Sequence, residues 1–166
     1  MPAPDLHLRR KWTFRHADHQ LVLVKRRGEK AEHVFQKAFL WALYVDRYPG
    51  LLVEKSIGDR YKPDLIQLGE DGRPVFWGEC GQVKVSKVLS IIRRFSGVRL
   101  ALARWGESTS HFANQMRKAL APVKTASVVE LWNFPADSQA RYIDDRGELL
   151  SELRQIQPVI LKDPQA

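Results

Sequence analysis

Tyr61–Phe95, reading YKPDLIQLGEDGRPVFWGECGQVKVSKVLSIIRRF, is the stretch that decides the fold. Asp64 to Leu68 is strand-like, Gly69 to Arg73 is dense in turn residues, and Pro74 to Glu79 is strand-like again. These features predict a β-hairpin with its loop near Asp71-Gly72. If Leu68 pairs with Val75, antiparallel pairing sets Ile66 opposite Trp77 and Asp64 opposite Glu79. Directly opposed side chains have Cβ atoms about 5 Å apart, which lets two carboxylates share one divalent cation. A slip of one residue would send the two acids to opposite faces of the sheet.

The chain beyond Glu79 turns at Gly81 and enters a helical pattern in which Val85, Val88, Leu89, Ile92 and Phe95 form the apolar face. Lys84 falls within that apolar arc and Lys87 borders it. An amine near the end of an acidic strand suits a shared site, whereas a lysine that snorkels from a solvated helix face needs no site at all. Arg93 and Arg94 close the helix favourably against its dipole.

Upstream, Ala31, Val34, Phe35, Ala38, Phe39, Ala42 and Val45 recur at helical spacing from Glu29 to about Asp46. Glu32 lies at the edge of this stripe, where its carboxylate can reach inward; with Glu29 it also complements the positive helix N-terminus. Tyr48-Pro49-Gly50 ends the helix, and Leu51 to Glu54 reads as a short strand. Nearer the N-terminus, Trp12 to Phe14 and Gln20 to Lys25 predict an antiparallel pair around a turn that holds His16 and His19 as solvated residues.

Downstream, Val98 to Trp105 reads as a central strand, and Ser108 to Ser110 cap a helix from His111 to Leu120 with Phe112, Met116, Ala119 and Leu120 inward. Ser127 to Phe134 is a further strand. Helix, strand, helix, strand in this order implies a right-handed parallel crossover. The tail places a turn at Asp144 to Gly147 between Arg141-Tyr142-Ile143 and Glu148-Leu149-Leu150, an edge hairpin with a short helix as the alternative. The expected class is therefore α/β (α+β): a mixed β-sheet flanked by helices, with an N-terminal β pair and a C-terminal hairpin. Residues 1–8 and 161–166 are expected to be flexible.

At 166 residues the chain is long enough for one domain with a substantial core and too short for two comfortable ones. No apolar run approaches the roughly 20 residues of a membrane-spanning helix, and no apolar segment follows the basic residues of MPAPDLHLRRKW, so neither a membrane nor a secretory route is expected. A lone cysteine, Cys80, forms no internal disulfide, and the expected compartment is the cytoplasm. The net charge of +8 is gathered in Arg9-Arg10-Lys11, Lys25-Arg26-Arg27, Lys84/Lys87 and Arg93-Arg94. Groups of this kind converging on one face would bind phosphate backbones. There is no glycine-rich phosphate loop, no GxSxG elbow and no Cys/His zinc spacing.

The order of pieces resembles the PD-(D/E)xK nuclease-like superfamily: a helix carrying an acid, a strand with Pro63-Asp64, a strand ending in Glu79, then a basic helix, a strand, a helix and a strand. Within it the chain looks most like the YaeQ family, through Glu29-Lys30-Ala31-Glu32 opening a helix that ends in Leu40-Trp41-Ala42-Leu43-Tyr44, then Asp64, then Glu79-Cys80-Gly81. The resemblance covers most of Arg27 to Phe134. It implies a restriction-endonuclease-like sheet and a nuclease of DNA or RNA that depends on Mg²⁺ or Mn²⁺. Asp64, Glu79 and a backbone carbonyl near Cys80 would bind the metal, and Glu32 and Gln82 would assist. Gly81 stands where the superfamily expects a lysine, so the catalytic amine would come from Lys84 or Lys87. Lys84, Lys87, Arg93 and Arg94 would hold the nucleic acid, and a homodimer is in keeping with the superfamily. Two alternatives stand beside this one: a non-catalytic nucleic-acid-binding or regulatory protein on the same fold, and a protein adaptor, for which exposed Trp41, Trp105 or Trp132 would be the sign.

Overall fold

The structure, a computed structural model, describes residues 10–164. Strands β1 (Lys11–His16) and β2 (His19–Val24) form a separate antiparallel pair joined by a tight turn. Helix α1 (Ala31–Tyr44) then leads to β3 (Leu52–Val53), β4 (Leu65–Leu68), β5 (Pro74–Cys80), α2 (Val85–Arg94), β6 (Arg99–Trp105), α3 (Ser110–Leu120) and β7 (Val128–Phe134). The chain closes with a short helix α4 (Ser138–Tyr142), a 3₁₀ turn (Ser151–Gln155) and β8 (Val159–Lys162).

The main sheet has the order β3-β4-β5-β6-β7-β8. β3, β4 and β5 are antiparallel, β5, β6 and β7 are parallel, and β8 returns antiparallel on the far edge. The alternation of each strand divides the core into two layers. Ala101 and Ala103 of β6 face α1, whereas Leu100 and Leu102 face the layer of α2 and α3. The mixed sheet, the parallel crossovers and the N-terminal pair are as expected from the sequence.

The hairpin departs from its expected register at one end. Ile66 pairs with Trp77 as predicted, but a bulge between Gln67 and Leu68 pairs Leu68 with Pro74 instead of Val75. Two further corrections and one refinement follow from tertiary context. On α3, Ala113 is buried with Met116 and Leu120, and Phe112 is only partly covered. In the tail, residues 141–142 end the short helix α4, the alternative for this segment, while the Ile143–Leu149 bridge and the Leu150 N–H to Tyr142 carbonyl bond keep the hairpin around the Asp144–Gly147 turn, which leans on β1 through Arg15–Glu148. Leu161 and Lys162, expected to be flexible, complete β8, where Leu161 is buried against the α2/α3 layer. Residues 1–8 and 165–166 lie outside the described residues.

Candidate functional site

Asp64 precedes β4, where the regular ladder ends. Its N–H donates to the Gly78 carbonyl at 3.1 Å, and its carboxylate Oδ2 accepts the Cys80 N–H at 2.8 Å. The acid is thereby folded onto the end of β5. Glu79 lies there, on the same face of β5 as Trp77 because the two are separated by one strand repeat. Its Oε1 accepts the Trp77 indole N–H at 2.8 Å and lies 2.8 Å from the Lys87 amine. Burial raises the proton affinity of Glu79 above the usual carboxylate range, the neighbouring Asp64 charge adds to this, and Lys87 and Trp77 oppose it.

Gly81 adopts φ of +88°, a left-handed conformation that costs glycine little, and so swings the chain from β5 toward α2. Because α2 begins at Val85, Lys84 is the residue before its first turn. It is exposed and makes no ion pair with either acid among the described residues. Lys87 is within the helix, where side chains lean toward the N-terminus and hence toward Glu79. Its amine also sits 5.1 Å above the Tyr61 ring. Of the two candidate lysines, Lys87 is the one the structure pairs with Glu79.

The remaining candidates are spread around this centre. Glu32, in the first turn of α1, and Gln82 line a cavity of about 540 Å³ on the α1 side of the sheet. Cys80 is buried, and burial pushes its thiol well above the ordinary range, so its contribution is the main chain. Arg93 is exposed. Arg94 is already bound: it pairs with Asp59, donates to Ser90 Oγ at 3.1 Å and lies over the Tyr61 and Phe95 rings. Trp41 and Trp132 are buried, and Trp105 is only partly so.

A second group of side chains at this site was not anticipated. Lys37 of α1 is 1% exposed and pairs with both Glu29, at 2.6 Å, and Glu54. Burial disfavours its charge, but the two carboxylates outweigh burial and raise its proton affinity. Glu29 Oε2 also accepts His33 Nδ1–H at 2.6 Å, and His33 Nε2 lies 3.8 Å from Asp64 Oδ2. Burial works against the Glu29 charge, yet bonds from Lys37, the Arg26 N–H and His33 hold its acidity at about 2. The Asp64 carboxylate raises the proton affinity of His33; burial opposes the rise and Glu29 adds to it. Gln36 completes the set by accepting the Gly81 N–H at 2.9 Å. This group follows from how deeply α1 is packed. Eleven of the fourteen residues of α1 are buried, and a helix buried nearly all round must give its few polar side chains internal partners.

Glu54 occupies a left-handed backbone conformation, φ 59°, which is costly for a residue with a Cβ. Its N–H donates to the Asp64 carbonyl at 2.9 Å while its carboxylate holds Lys37. The strained residue thus ties the loop before β4 to α1 and positions Asp64 from behind.

No protein-family profile and no curated protein matches the sequence. Two YaeQ proteins are among the solved structures that match the fold. A YaeQ protein from Xanthomonas axonopodis pv. citri superposes with a TM-score of 0.66 at 18% identity, over 93% of this chain and 98% of the other. A YaeQ protein from Pseudomonas syringae superposes with a TM-score of 0.60 at 16% identity, over 82% of this chain and 77% of the other. The chain has the fold of the YaeQ proteins, as its motifs led us to expect.

Proposed function

We propose that this protein, built on the YaeQ fold, is a metal-dependent nuclease that hydrolyses phosphodiester bonds of DNA or RNA at the end of β5. One observation carries this reading: Asp64 folded onto the Cys80 N–H, next to Glu79 held by Lys87 at 2.8 Å, places two acids and one lysine at a single strand end. The donor chemistry suits Mg²⁺ or Mn²⁺. The bonds to protein groups engage Asp64 Oδ2 and Glu79 Oε1, which leaves one oxygen of each carboxylate for a hard cation. With two carboxylates as its protein ligands, the ion would be of the kind that keeps several waters and takes substrate oxygens. When bound, such an ion polarises the phosphodiester and stabilises charge on the attacking and leaving oxygens.

The protein side chains would do the rest. Asp64 and Glu79 are the metal ligands, with the main chain at Cys80 beside them. Lys87, anchored by Glu79, offsets negative charge on the phosphorus centre and orients the attacking water. Lys84, exposed at the mouth of α2, and Arg93 contact the backbone without reading bases. Glu32 and Gln82 face the adjoining cavity, where they can hold water or substrate.

The test is nicking of plasmid DNA and of a structured RNA with Mg²⁺ or Mn²⁺, comparing the native chain with Glu79→Ala and Asp64→Ala. Loss of activity in both variants supports the proposal, and equal activity in all three preparations refutes it. The alternative is a non-catalytic binder on the same fold, in which the Glu79–Lys87 ion pair serves the structure alone. It would show steeply salt-dependent binding that survives Asp64→Ala and needs no metal.

A further inference from the structure

We propose that the groove beside Asp64 binds an unpaired nucleotide, with its base on Trp105 and its phosphate against Arg26, Arg27 and Lys62, so that single strands are the preferred ligand. The proposal rests on the nucleic-acid reading above and does not depend on cleavage.

Two cavities, of about 540 and 410 Å³, share Glu29 and His33 in their walls and so form one groove across the N-terminal turn of α1. Their chemistries differ. In the smaller cavity Arg26, Arg27 and Lys62 are all exposed at the rim, and the buried Lys37 charge is answered by Glu29 and Glu54. That end attracts a phosphate. In the larger cavity, with Glu29 already committed to Lys37, Glu32 and Glu107 balance Lys30 and Arg104, so that end attracts a phosphate less and its carboxylates provide acceptors for the amino groups of a base edge.

The larger cavity also contains an aromatic surface. Trp105 lines it, and the indole is backed by Phe39 at 5.8 Å and 15° and by Phe35 at 6.0 Å and 29°. Packing on these two rings holds the indole in place, and its partly exposed remainder lines the cavity, where a further planar group can reach it. Stacking of a base on such a ring is tolerant of sequence because every base has a π-face. A paired base has its faces covered by its neighbours and its edge engaged, so it reaches Trp105 only after leaving the helix. Asp64 lines the phosphate end, next to the Cys80 N–H, and Gly81 and Gln82 line the base end. A strand laid along the groove therefore passes Asp64 between a base and its phosphate.

Fluorescence anisotropy with EDTA present tests this without cleavage. The ligands are a labelled DNA strand of about a dozen nucleotides, the same strand annealed to its complement, and a strand of equal length with abasic sites in place of its central bases. The expected result is binding of the intact strand about tenfold tighter than of the duplex or the abasic strand, in line with the stacking energy of one base. Trp105→Leu should lower single-strand affinity by a similar factor and leave duplex affinity unchanged. Because Trp105 packs on Phe35 and Phe39, the abasic comparison is made on the native protein and stands whether or not the variant folds. Duplex binding as tight as single-strand binding, or equal affinity for intact and abasic strands, would overturn the assignment. Single-strand preference without nicking would remove the nuclease reading alone, and nicking of duplex without that preference would remove this inference alone.

Discussion

Lys37→Met removes the one cation between Glu29 and Glu54 and keeps the volume of the side chain. Lys37 is 1% exposed, and its partners are 10% and 21% exposed, so both carboxylates are left facing each other largely out of water. Breaking a buried ion pair from one side costs about 3–5 kcal/mol. Glu54 retains enough access to water to recover part of this, which puts the expected loss near 3 kcal/mol. In a domain of this size that corresponds to a fall in Tm of about 9 °C. Urea unfolding followed by tryptophan fluorescence and far-UV circular dichroism would measure it. The acid limb supplies a sign check. Glu29 is depressed to about 2, so its stabilisation is present above the ordinary carboxylate range and is lost as pH falls toward 2. Without Lys37 that limb should flatten. Neutralising the partners as well, in Glu29→Gln/Lys37→Met/Glu54→Gln, should restore most of the loss, because no uncompensated charge remains. A change below about 1 kcal/mol in Lys37→Met, or a triple variant no better than the single one, would refute the reasoning.

Three further outcomes are expected. Glu130, 4% exposed on β7, is pushed by burial to about 7 while Arg99 at 3.1 Å and the Tyr44 hydroxyl hold it. A raised carboxyl stabilises the fold fully below its unfolded value and loses that contribution as pH rises through 7. Stability should therefore fall by about 1–3 kcal/mol between pH 5 and 8 in thermal melts, and Glu130→Gln should flatten the curve. Gly147 has φ of +81°, and a Cβ there would lie 2.1 Å from the Thr13 carbonyl oxygen, so Gly147→Ala should cost about 3 kcal/mol or more in urea titrations by prising the tail from β1. Lys87→Met should lower nicking about a hundredfold and cost clearly more than Lys84→Met, since only Lys87 reaches Glu79.

The acidic hairpin was legible because its signals are local. Alternation of Ile66 and Trp77 with their polar neighbours specifies which face each residue takes, and the turn residues specify where the chain reverses. The bulge at Gln67 was not legible, since it depends on how the loop closes against Arg73 and Val75. The choice between Lys84 and Lys87 turned on the first residue of α2. Both lie near the apolar arc on paper, but a side chain before the first turn escapes the helical lean that carries Lys87 back to β5. β8 escaped notice because four residues bounded by proline carry little pattern of their own; the open edge of β7 makes them a strand.

By itself the sequence determined the elements from β1 to β7, their order, the mixed sheet and the two acids at one strand end, because periodicity and turn chemistry act over a few residues. Only the tertiary structure decided that Glu29, His33, Lys37 and Glu54 gather behind Asp64. Burial of α1 on nearly every side turns a lysine that periodicity would assign to solvent into the centre of an ion cluster. Such long-range pairing follows from where the helix is packed and leaves no trace in the spacing of the residues.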